Sequence, residues 1–98
     1  MVNNENHIII QGWMVNELKL KGNDLLVYAL IFDRSNAGNC WFTTQHKYFS
    51  EWCRCSRQSV ISSVNNLVKR ELITKRKDYD ENGYLTGCAY KAVVPKGE

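Results

Sequence analysis

At Glu71 the hydrophobic pattern changes period, and that change constrains the fold more than any other feature. Upstream, Val60, Ile61, Val64, Leu67, Val68 and Leu72 recur at the spacing of an amphipathic helix. Downstream, "LITKRKDY" and "YLTGCAYKAVV" are β-prone runs separated by "DENG". Asn82-Gly83 between two such runs predicts a tight hairpin, since a type I′ turn needs φ > 0 at both central positions. A helix must therefore lead directly into a β-hairpin.

Two more helices precede this one. "NDLLVYALIFDRSNAGN" is apolar on nearly all sides from Leu25 to Phe32, which predicts a central, enclosed helix. Asn23 is its expected N-cap, Asp24 suits the positive end of its dipole, and "SNAGN" ends it. Before it, "HIIIQGW" reads as a short strand or an extended entry, and Met14–Asn23 as one or two helical turns stopped by Gly22. After it, "CWF" is a short extended piece. Thr43 or Thr44 then offers a cap for a second helix through Cys53, with Tyr48, Phe49 and Trp52 facing inward. Ser56 caps the third helix, 56–71, and the hairpin occupies 72–94. The expected fold is mainly α with a small β wing: a winged helix-turn-helix of three core helices plus a C-terminal hairpin.

The chain's 98 residues suit one domain, residues 1–98, with 1–7 and 95–98 expected to fray. The longest apolar run is eight residues, far short of the roughly 20 that span a membrane. Nothing at the N-terminus resembles an export signal, so the expected location is cytoplasmic, with no membrane contact and with reduced thiols. Net charge is +3, and residues 50–98 supply all of it. Between Arg54 and Lys77 there are seven basic residues and one acid, Glu71. A concentrated positive field of this kind meets phosphate backbones, although a charge run can also be a solvated lysine-rich face.

Helix two, the corner Arg54-Cys55-Ser56 and helix three make a helix-turn-helix. In that geometry the first turns of the last helix meet base edges. Here they present Ser56, Arg57, Gln58, Ser59 and Ser62, with Asn66 and Lys69 further along. Arg pairs bidentately with guanine and Gln with adenine. Arg54 at the corner, and Lys75, Arg76 and Lys77 on the wing, are placed to meet phosphates. Tyr79, Tyr84 and Tyr90 could stack on sugars or bases, with at most one expected to do so.

Two segments, "IIIQGWMVNELKLKGNDLLVYALIF" and "FSEWCRCSRQSVISSVNNLVKRELITKR", resemble the N-terminal winged-helix domains of phage and prophage replication initiators, the DnaD-like replisome organisers. The likeness covers roughly residues 8–92. In such domains the S-R-Q-S/T-V segment starts the recognition helix, which falls here on Ser56, Arg57, Gln58, Ser59 and Val60. The resemblance implies double-stranded DNA as partner, with a helicase loader or another replisome protein as a second partner, in phage or mobile-element replication initiation. Transcription regulation and a protein-interaction adaptor are the alternatives, and a homodimer is compatible with any of them. The chain departs from the pattern at Arg54 and Glu71, where glycine is common.

The cysteines and histidines suggest less. Structural zinc uses paired C-x₂₋₄-C spacing, and one C-x-C (Cys53, Cys55) with scattered Cys40 and Cys88 matches it poorly. Cysteine is often a small buried hydrophobe instead. His7 and His46 stand alone, and no catalytic triad order, Gly-rich phosphate loop or H-E-x-x-H occurs. The expectation is a non-enzyme with neither metal nor cofactor.

Overall fold

The computed structural model describes residues 2–94. In chain order it contains α1 (Gly12–Asn16), α2 (Gly22–Arg34), β1 (Phe42–Thr44), α3 (His46–Cys53), α4 (Arg57–Lys69), β2 (Ile73–Tyr79) and β3 (Leu85–Ala92). The strands form one antiparallel sheet in the order β1-β3-β2. This is a helical helix-turn-helix carrying a small three-stranded sheet. Beyond the three core helices and the hairpin, the helical turn expected within Met14–Asn23 forms as α1, shifted to Gly12–Asn16, and the short extended piece expected at Cys40–Phe42 pairs as β1, shifted to Phe42–Thr44. The expected frayed end at 95–98, and Met1, lie outside the described residues.

Helix α2 is central, with Val27 through Ile31 all buried, as its all-round apolar sequence requires. It packs on α3, α4 and β3. Asn23 does not cap it. The helix opens at Gly22 without a side-chain cap, and Asn23 lies inside the first turn. Nor do Thr43 and Thr44 cap α3. Pairing with Ala89 and Cys88 draws them into β1, and Gln45 precedes the helix with no side-chain cap bond. Ser56 does cap α4, its Oγ accepting the Ser59 N–H at 3.1 Å.

The inward face of α4 is narrower than the sequence stripe. Val60, Ser63, Val64 and Leu67 are buried, Ile61 is half-buried and Val68 is 39% exposed. The core gathers Met14, Leu30, Ile31, Phe49, Val64 and Leu67 with Ile73 and Tyr90 of the sheet. Edge-to-face contacts link Phe42, Tyr48, Phe49 and Tyr90. Of the two readings of His7–Trp13, a short strand or an extended entry, the second holds: the segment leads into α1 without a strand assignment, with Ile8 packed on the core and Ile9 and Ile10 exposed.

Left-handed residues end the helices. Asn36 follows α2, Arg54 follows α3 and Glu71 follows α4, with φ between 50° and 61°. At α4, the Leu72 N–H reaches the Leu67 carbonyl and the Glu71 N–H reaches that of Val68. This pairing is the one that normally places glycine at the left-handed position. Gly38 is different, because a Cβ there would lie 2.3 Å from the Ala92 carbonyl oxygen. The buried Ser35 hydroxyl accepts the Ala92 N–H in the same corner, tying the end of α2 to β3.

The β2–β3 turn is not type I′. Asn82 keeps φ below zero and only Gly83 is left-handed, at φ 84°. The Gly83 N–H donates to the Asp80 carbonyl and the Asp80 N–H to that of Tyr84, closing a three-residue loop of a type I turn plus a glycine bulge. The Asp80 carboxylate selects it by accepting the N–H groups of Asn82 and Tyr84.

Candidate nucleic-acid interface

The corner between α3 and α4 has the expected geometry. Arg54 is left-handed (φ 53°, ψ 46°), and the Cys55 N–H returns to the Ser50 carbonyl at 3.3 Å. Cys53 and Cys55 pack against the core from either side of it. Burial first, then the adjacent Cys55, pushes the Cys53 thiol up to about 11, so it stays protonated and is a poor thiolate ligand. Among the described residues no group of three His, Cys, Asp or Glu is placed to hold a metal ion.

With Val60, Ser63, Val64 and Leu67 turned inward, the opposite face of α4 carries Gln58, Ser62, Asn65 and Lys69, all exposed. Asn65 is not among the residues expected from the sequence to meet DNA, yet it shares this exposed face. The signal that identifies it is the outward spacing 58-62-65-69, which becomes readable once the buried face is fixed. Asn66 and Ser59 lie on the flank. Asn66 Nδ2 donates to Asp24 Oδ2 of α2 at 2.6 Å, and the Ser59 N–H is spent on the Ser56 cap. Arg57 sits on the other flank, towards the start of α3 and β3. Arg70 donates to the Leu18 carbonyl.

The three wing cations separate. Lys75 pairs across the sheet with Tyr90 and Lys77 with Cys88, which puts both on the helix side. Arg76 pairs with Ala89 on the far side, where its Nε donates to Asp78 at 2.9 Å and its guanidinium lies 4.4 Å from the Trp41 ring centre. Lys91 stands 4.9 Å from the same ring. Of the wing tyrosines, Tyr79 and Tyr84 are exposed at the tip, whereas Tyr90 is a core residue. The tip also carries Asp80 and Glu81, which disfavours close approach to phosphates.

A model of a family described as a helix-turn-helix domain matches residues 18–73, more than half of the chain. The chain belongs to this helix-turn-helix domain family. Solved structures with the same fold include an "N-Terminal domain of DNA binding protein", at TM-score 0.65 and 15% identity over 96% of this chain and 79% of that one. A "Structure of Rep-DNA complex" gives TM-score 0.64 at 15% identity, with the same coverage. A "Possible transcriptional regulator from Methanosarcina mazei Go1" gives TM-score 0.58 at 18% identity, over 92% of this chain and 77% of that one. No curated protein sequence matches this helix-turn-helix domain. Among its described residues no helix is long and apolar enough to cross a membrane.

Proposed function

We propose that this helix-turn-helix domain binds double-stranded DNA sequence-specifically, with α4 in the major groove and the β2–β3 wing on the flanking backbone. The observation that carries this reading is the outward stripe Gln58, Ser62, Asn65 and Lys69. It is free of carboxylates, rich in groups that pair with base edges, and borders the positive corner at Arg54 and Arg57. Thirteen residues of α4 span roughly 20 Å, enough to lie along the groove. Gln58 and Asn65 are the residues suited to adenine, Arg57 to guanine, and Lys69, Lys75, Lys77 and Arg54 to phosphates. Initiation of replication in a phage or mobile element is the favoured setting. It is supported by the resemblance of the 8–92 segment to replication initiators and by the shared fold with a Rep protein solved on DNA. A helicase loader and a second copy of this chain are the protein partners that setting implies. Transcription regulation is the second reading, favoured by the fold shared with a possible transcriptional regulator.

Selection of binding sites from a random duplex pool, followed by footprinting on genomic DNA, tests the proposal. Gln58→Ala and Asn65→Ala should each relax the preference at one base pair by about 1–3 kcal/mol without altering the salt slope. Footprints at an origin support replication and footprints at promoters support regulation. Failure to bind any duplex at low salt, beside a stable complex with a helicase loader, would replace both with an adaptor role.

A further inference from the structure

Where β1 ends and the chain turns into α3, an open groove of about 480 Å³ is left between the start of α3, the start of α4 and the distal part of β3. Three basic side chains converge on it: His46 and Lys47, the first residues of α3, and Arg57, the first of α4. Among the described residues no carboxylate lines it. Because α3 has no side-chain cap and the Tyr48 N–H is taken by the Gln45 carbonyl, the His46 and Lys47 N–H groups and the positive end of the dipole are the helix's contribution there. The fourth contribution is Tyr90 of β3. It lines the groove with a fully buried side chain, and among the described residues its hydroxyl makes no full hydrogen bond, only a weak contact with the Cys88 thiol. The neighbouring Cys88 thiol, a weak partner, adds to burial in keeping the phenol protonated, as a donor. An oxygen anion in the groove would recover the cost of that enclosed, weakly paired donor.

We propose that this groove is a phosphate-binding site, with Lys47, Arg57, protonated His46 and the Tyr90 hydroxyl as its donors. The phosphate has two sources: a phosphodiester of bound duplex, which rests on the DNA-binding reading above, or a free phosphate group, which does not. Binding takes up a proton. In the empty groove, partial burial, then Lys75 of β2, then Arg57 of α4 hold the His46 imidazolium below its usual range. Lys47 on the same helix and the neutral Cys88 and Tyr90 of β3 complete the surroundings. A phosphate there reverses the sign of the local field and favours the imidazolium.

NMR titration of the imidazoles in the full chain tests this, alone, with duplex DNA and with orthophosphate, using the exposed His7 as internal reference. The expected result is a rise in the His46 midpoint of about half a pH unit or more, with His7 unmoved. The rise should shrink several-fold in Lys47→Ala and Tyr90→Phe, both checked for retained fold. A rise with duplex only supports the site and assigns it to the DNA backbone. A rise with orthophosphate, whether or not duplex also produces it, supports a site open to free phosphate. If orthophosphate raises the midpoint and no duplex binds, the groove stands and the DNA-binding reading falls. If duplex binds and neither ligand moves His46, the groove proposal is overturned and DNA binding stands. Absence of duplex binding together with an unmoved His46 overturns both.

Discussion

Replacing Arg54 by glycine should make this domain more stable while weakening its grip on DNA. Arg54 holds φ 53° and ψ 46° at the corner between α3 and α4. A non-glycine residue pays about 1–2 kcal/mol for that left-handed conformation. Glycine removes the Cβ clash but gives back about 0.5–1 kcal/mol through its freer unfolded chain. The net expectation is a gain of about 0–1.5 kcal/mol, centred on about 0.75 kcal/mol, which is roughly 3–6 °C in Tm for a domain of this size. Urea unfolding should show a higher midpoint at unchanged slope. Arg54→Ala is the control. It keeps the Cβ, and so the strain, and should stay within about 0.5 kcal/mol of the parent. Glu71→Gly, at the left-handed residue beyond the far end of α4, should give a similar gain. The two sites are roughly 20 Å apart along the helix, so their effects should add. Binding separates them: both Arg54 variants should lower the salt slope by about 0.9, whereas Glu71→Gly should not lower it. An Arg54→Gly protein that melts no higher than Arg54→Ala would show that the corner is unstrained and refute the reasoning.

Three other outcomes follow from the geometry. Lys75→Ala and Lys77→Ala should each reduce the salt slope of duplex binding by about 0.9, while Arg76→Ala should leave it unchanged, because Arg76 is paired with Asp78 on the far side of the sheet. Tyr90→Phe, measured by urea unfolding, should be neutral or stabilising by up to about 1 kcal/mol in the free protein, since it deletes a buried hydroxyl whose neighbour, the Cys88 thiol, is a weak partner. Finally, the folded state holds the His46 imidazole below its ordinary pKa of 6.5. Below 6.5 the unfolded chain therefore binds the proton more readily than the native one, and stability falls with pH until the folded midpoint is passed. His46→Gln should flatten that part of the stability–pH curve.

Periodicity alone placed the enclosed helix α2, the amphipathic α4 with its Ser56 cap and the hairpin after Glu71, because helix and strand periods and a cap hydroxyl are local properties of the chain. The resemblance to replication initiators marked Arg54 and Glu71 as positions where glycine is common, and both are left-handed. What neither could supply were facts set by partners distant in sequence. Thr43 and Thr44 have the chemistry of caps but are drawn into β1 by pairing with β3. Asn65 and Asn66 are indistinguishable by composition, and only the packing of α4 turns one outward and the other onto Asp24. "KRK" reads as one cationic run, yet sheet pleating and the Asp78 and Trp41 contacts divide it between two faces. His46 looked solitary until the fold brought Lys75, Arg57 and Tyr90 around it. The sequence by itself thus determined the main helices, the hairpin and the cap of α4, because these are local properties of the chain. The tertiary structure decided which side chains are free to meet a ligand, because that depends on through-space pairing across the sheet and between helices.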